Sequence, residues 1–142
     1  MKIMSVDFGD ARTGFAMCDK TELLASPVGV IHEKRFEHAV EKVAAAAEEN
    51  RAEAVIVGLP LNMNGSEGPR AELCRDFAAK LAERISVPIR MWDERQTTVS
   101  AAGYLNQTDT RGKKRKEVID AVAAVIILDS YLQWRKNHPG EF

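Results

Sequence analysis

Apolar and polar positions change rhythm several times along the chain, and each change marks an element. Ile3-Met4-Ser5-Val6-Asp7 is a short apolar run that predicts a strand ending in a carboxylate. A turn through Gly9 and Gly14 follows, and Phe15-Ala16-Met17-Cys18-Asp19 reads as a second strand folding back beside the first. Val28-Gly29-Val30-Ile31, just after Pro27, fits a third. From Arg35 to Asn50 the period lengthens. Phe36, Ala39, Val40, Val43 and Ala47 recur at spacings of three and four, as on one buried face of a helix. Ala54-Val55-Ile56-Val57-Gly58 suits a strand covered on both faces. A loop, Leu61 to Gly68, leads to a helix over Pro69 to Ile85 with Leu73, Phe77, Leu81 and Ile85 as its stripe. Val87 to Trp92 is the last predicted strand, ending in Asp93-Glu94-Arg95. Thr97 or Thr98 would cap a third helix. Asn106 to Lys114 is loop-like, and a final helix is predicted from Lys116 to Arg135, before Pro139-Gly140.

The order β-β-β-α-β-α-β-α-α predicts one domain over residues 1–142: an α/β fold with a mixed five-stranded sheet and helices on both faces. Ligands of such sheets gather at strand carboxyl ends, where Asp7, Gly58 and Glu94 all fall. On the last helix Asp120 shares a face with Ala123, Ala124, Ile127, Leu128 and Tyr131. A carboxylate on such a stripe is costly unless paired, hydrogen-bonded or bound to metal. Each acid also has a plainer reading. Asp7 could merely begin a turn, Glu94 could sit in a solvated loop beside Arg95, and Asp120 could serve a helix start. Taken together, three acids on three elements would make an oxygen-rich pocket of the kind Mg²⁺ or Mn²⁺ prefers. Two such ions about 4 Å apart activate water and steady the leaving oxygen in phosphodiester hydrolysis. Asp93 and Glu94 alternate sides, so one of the two faces the crevice, and alternation alone does not say which. His32, His38 and His138 lack zinc-ligand spacing.

Composition narrows the setting. Hydrophobic residues at 45% and charged residues at 29% are those of an ordinary globular protein. No apolar run approaches the roughly 20 residues of a membrane helix, and no signal-peptide pattern opens the chain, so a cytoplasmic protein without membrane contact is expected. Cys18 and Cys74 read as reduced, packed thiols. The net charge of −1 counts against a general nucleic-acid binder. A local basic patch exists nonetheless: Arg111, Lys113, Lys114, Arg115 and Lys116. Lysines at a helix N-terminus oppose its dipole, which points to another task, such as gripping phosphates without reading bases. Trp92 and Trp134 read as packing residues. Asn62, in Asn62-Met63-Asn64-Gly65, could touch substrate, although turn chemistry alone accounts for it.

Four motifs in order resemble the YqgF/RuvX family: Asp7-Phe8-Gly9 with Arg12-Thr13-Gly14, Gly58-Leu59-Pro60-Leu61-Asn62-Met63-Asn64-Gly65, Asp93-Glu94-Arg95-Gln96-Thr97-Thr98, and Ile119-Asp120-Ala121-Val122-Ala123-Ala124. These are Holliday-junction-resolvase-like proteins, also described as pre-16S rRNA nucleases. The resemblance runs from Ile3 to about Leu132. It implies an RNase H-like fold and a metal-dependent nuclease that trims the 5′ end of the 16S rRNA precursor. Carried over by motif, Asp7, Glu94 and Asp120 would be the catalytic, metal-binding acids, holding Mg²⁺ or Mn²⁺, with two ions when substrate is bound. Arg12, Asn62, Arg95, Lys113, Lys114, Arg115 and Lys116 would contact nucleic acid. Gln96 and Ala101-Ala102 depart from the family's commoner residues without touching the acids. A DNA-junction resolvase remains open as the same chemistry on another substrate, and with it a homodimer. A non-catalytic RNA-binding assembly factor is the alternative of another class. An actin- or sugar-kinase-like nucleotide protein would need a second lobe, for which 142 residues leave little room.

Overall fold

Alternation along the first strand decides the architecture. In this computed structural model, which describes residues 1–94 and 112–142 (backbone alone for 112–120), β1 spans Ile3–Asp7. Met4 and Val6 point to one side of the sheet, while Ile3 and Ser5 point to the other. β1 pairs antiparallel with β2 (Arg12–Cys18), which pairs antiparallel with β3 (Ala25–His32). On its other edge β1 pairs parallel with β4 (Ala54–Leu59), and β4 with β5 (Ile89–Asp93). The sheet order is β3-β2-β1-β4-β5. This is the mixed five-stranded sheet that the sequence predicts.

Two helices, α1 (Phe36–Glu49) and α2 (Pro69–Ala82), cover one face. Val40, Val43 and Ala47 of α1, with Cys74, Phe77 and Leu81 of α2, close a core over Met4, Val6, Phe15 and Val57. The opposite face is covered by α3 (Gly112–Asn137). Ala124, Ile127, Leu128 and Tyr131 pack there on Ile3, Ala16, Ile56 and Trp92. Small residues let this helix come close: Ala16, Ala54 and Ala124 are fully buried, and the Ser5 hydroxyl donates to the Ala124 carbonyl at 2.6 Å.

Several boundaries differ from the sequence reading: β2 begins at Arg12, so Gly14 lies in the strand and not in the turn, and β5 runs from Ile89 to Asp93. β3 begins at Ala25 and takes in Pro27, which an edge strand tolerates because its outer side needs no donor. α2 ends at Ala82 rather than Ile85, closing through turn bonds from Glu83 and Arg84. α3 starts at Gly112, so Gly112, Lys113 and Lys114 are helical and not loop. The helix predicted at Thr97 or Thr98 and the loop from Asn106 to Arg111 lie outside the described residues. Cys18 and Cys74 are buried free thiols, as expected. Among the described residues no helix is long and apolar enough to cross a membrane.

Candidate active site

β1, β4 and β5 are adjacent parallel strands whose carboxyl ends lie at the same edge of the sheet, with α3 packed across the face beside them. Asp7 is the last residue of β1, half-buried, two residues on from Ser5 and so on the α3 side of the sheet. After it the chain turns sharply. A Cβ on Gly9 would lie 2.1 Å from the Arg12 carbonyl oxygen, so no larger residue fits this turn. Phe8, buried on the opposite face, anchors it by stacking on Phe77 at 4.3 Å.

Glu94 directly follows β5 and is half-buried. A Cβ on Gly58 would meet Ile127 Cδ1 at 2.7 Å and the Glu94 carboxyl carbon at 3.1 Å. The carboxyl group therefore lies in the crevice between β4 and α3, on the same side as Asp7. This chooses Glu94 over Asp93 as the crevice acid, which alternation alone left open. Gly58 keeps the space clear. Burial raises the Glu94 pKa; Arg70 opposes the rise and Asp93 adds to it.

Position 120 is placed by the backbone of α3. The Met1 amine and the Arg135 guanidinium both reach Glu22, so the C-terminal end of α3 lies beside the start of β1. The helix thus runs against β1. From the Ser5–Ala124 bond, Asp7 is two strand residues away, about 6.6 Å. Asp120 is four helical residues in the same direction, about 6 Å. The backbone carries Asp120 to the end of β1 where Asp7 stands.

Arg70 was not singled out from the sequence. It sits in the first turn of α2, donates to Asp10 Oδ1 at 2.7 Å and to the Phe8 carbonyl, and lies 5.5 Å above the Phe8 ring. The one available signal was a cation at a helix N-terminus, where the dipole disfavours it. Buried Cys74 records the shared field. Burial pushes its thiol up to about 11, with Arg70 opposing and Glu94, Asp7 and Asp10 adding.

The remaining expected contacts are scattered. Arg12 opens β2 opposite His32, just beyond the Asp7 turn. Asn62 closes its own loop, its side-chain amide donating to Ser66 Oγ at 2.9 Å while its carbonyl accepts from Gly65 N–H at 2.8 Å. Lys113, Lys114, Arg115 and Lys116 fall on the first turns of α3, placed by backbone. Arg95 lies outside the described residues. Among the described side chains, no three His, Cys, Asp or Glu form a metal-binding group. Asp7 and Glu94 are the two described acids of the expected set.

A mixed sheet of this order, flanked on both faces and bearing acids at the ends of its central strand β1 and its edge strand β5, defines the RNase H-like class. The family model described as RuvX: Holliday junction resolvase matches residues 1–134, and the chain belongs to that family. A relative from Halothermothrix orenii, named "Putative pre-16S rRNA nuclease", is 44% identical over 140 residues, covering 99% of this chain and 100% of its own. Another of the same name, from Caldanaerobacter subterraneus subsp. tengcongensis, is 41% identical over 138 residues, covering 96% and 99%. Among solved structures, T. thermophilus RuvC in complex with a Holliday junction substrate is similar with a TM-score of 0.65. It is 15% identical and covers 96% of each chain, a likeness of fold.

Proposed function

We propose that this protein is a divalent-metal-dependent nuclease that hydrolyses phosphodiester bonds in structured RNA, with the 5′ end of pre-16S rRNA as its substrate, in the cytoplasm. The observation that carries the reading is the placement of Asp7 and Glu94 on one side of the sheet, with the α3 backbone bringing Asp120 to the same strand end. The names of the full-length relatives support the choice of RNA.

The residues fit a hard cation. All three are oxygen donors, no thiol or imidazole is needed, and burial at Glu94 disfavours its anion unless positive charge is near. Asp7, Glu94 and Asp120 would hold Mg²⁺ or Mn²⁺, which supplies a more acidic water and charge neutralisation at the leaving oxygen. The chain's own residues do the rest. Gly58 lets Ile127 and the Glu94 carboxyl group pack against the β4 backbone, and Gly9 lets the chain fold tightly back on Arg12 just after Asp7. Arg70 holds the turn, and Arg12 with the α3 lysines would hold phosphates on either side.

A junction resolvase is the second reading, favoured by the family description and by the RuvC-like fold. It would require a symmetric pair of sites and hence a homodimer. The test is cleavage of a labelled 16S precursor 5′ segment beside a four-way DNA junction, with Mg²⁺, with Mn²⁺ and with chelator. Metal-dependent cleavage of the RNA supports the proposal. Paired symmetric nicks in the junction would replace it with the resolvase, and RNA binding without any cleavage would leave a binding factor.

A further inference from the structure

Beside the Asp7 turn lies an open groove of about 520 Å³, lined by Ala11, Arg12, His32, Glu33, Lys34 and Arg35. It is built at the open end of the β2–β3 pair, where β2 starts and β3 stops. Arg12 pairs with His32 in the ladder, and the Glu33 N–H donates to the Ala11 carbonyl at 3.0 Å. The groove is therefore fixed to the segment that follows the first catalytic acid. Its first lining residue, Ala11, is four residues along the chain from Asp7.

Its charge is one-sided. Among the lining residues Glu33 is the one carboxylate. It faces Arg35 Nε at 3.1 Å, Lys42 Nζ at 3.1 Å and His38 Nδ1 at 3.8 Å. Nearby acids are engaged as well: Asp10 with Arg70 at 2.7 Å, and Glu37 with Arg84 at 3.6 Å. Among the lining residues Arg12, Lys34 and Arg35 thus outnumber the one carboxylate, and the Arg35 side chain is 69% exposed. α1 begins immediately after Arg35, whose side chain makes no capping bond, so the positive end of the helix dipole adds to the same field. No Phe, Tyr or Trp lines the groove, which therefore offers charge to a backbone and no stacking surface to a base.

We infer that this groove is a second nucleic-acid contact, holding the phosphodiester backbone of the strand that flanks the scissile bond. Arg12, Lys34 and Arg35 are its phosphate ligands. The contact reads no sequence and extends the footprint from the Asp7 turn along the β3–α1 connection. It deepens the nuclease reading in its substrate contacts, yet stands on charge and shape that binding alone can test.

The variant is Lys34→Gln with Arg35→Gln, both exposed positions, compared with Lys80→Gln on α2 as a control. Binding of a fluorescent RNA hairpin with a single-stranded tail is followed by anisotropy in chelator over a salt series. Cleavage with Mg²⁺ is measured separately. Each lost phosphate contact should make the slope of log affinity against log salt shallower by about 0.7–0.9. The double variant should show that change and several-fold weaker binding, with wild-type thermal unfolding, while Lys80→Gln matches wild type. A double variant with wild-type affinity and slope overturns the groove. The changed slope in a protein that cuts nothing sustains the groove and removes the nuclease reading. Failure of the wild type to bind the hairpin removes both.

Discussion

Glu94 holds opposing demands in one side chain. It lies against Gly58 and Ile127, where burial favours its neutral form, yet the proposed chemistry needs it as an anion. Its folded pKa is raised above the ordinary 4.5. The associated stability is present below that value and lost as pH rises through the raised one. Without metal, unfolding free energy should therefore fall as pH climbs through that window. Glu94→Gln should flatten the fall and leave the metal-free protein at least as stable near neutrality. Thermal melts in chelator across the acid-to-neutral range check this, and a steeper pH dependence in Glu94→Gln would refute it. The choice between Asp93 and Glu94 was not legible in the sequence, because adjacent acids at a strand end differ only in what packs over them. Arg70 was hidden for a similar reason. Its partners, Asp10 and the Phe8 carbonyl, lie some sixty residues earlier in the chain.

The contact of α3 with the sheet decides whether these acids meet. Ser5 tethers the helix by one buried bond to the Ala124 carbonyl. Ser5→Ala should cost about 1 kcal/mol in denaturant unfolding, and cleavage should fall with it if the tether sets the level of Asp120. Gly58→Ala adds a methyl 2.7 Å from Ile127 Cδ1 and 3.1 Å from the Glu94 carboxyl. Overpacking of this kind costs about 1–3 kcal/mol. Adding Ile127→Val removes the closer clash. It should restore the melting temperature while leaving cleavage low, because the Glu94 contact remains. Recovery of both together would show that Gly58 serves packing alone. Most elements were legible from their period: the stripe Ala124, Ile127, Leu128 and Tyr131 is buried as its spacing predicts. Boundaries were less so. The start of α3 at Gly112 was concealed by a glycine and a run of cations that read as loop, although helix formation there is supported by packing further along.

Across the whole chain, the sheet order, its two covered faces and the family all agree with what four short motifs implied. The strands were readable because β1 and β4 are apolar runs, and the topology because hairpins precede alternating strands and helices. What no local pattern could show is which strand ends and which part of α3 share one side of the sheet, on which the proposed meeting of residues 7, 94 and 120 rests. That depends on parallel register between β1, β4 and β5 and on α3 running against β1. If three carboxylates share one cation, Mg²⁺ or Mn²⁺ should raise the melting temperature of the wild type by mass action, and by less in each single acid variant. The most direct measurement is single-turnover cleavage of the pre-16S 5′ segment, titrated with Mg²⁺, for wild type, Asp7→Asn, Glu94→Gln and Asp120→Asn. One metal site built from three elements predicts that each substitution costs more than the roughly 10–100-fold typical of groups that only support a metal ligand, with RNA binding in chelator retained. Wild-type cleavage by Asp120→Asn would contradict it, because the active site would then not include α3.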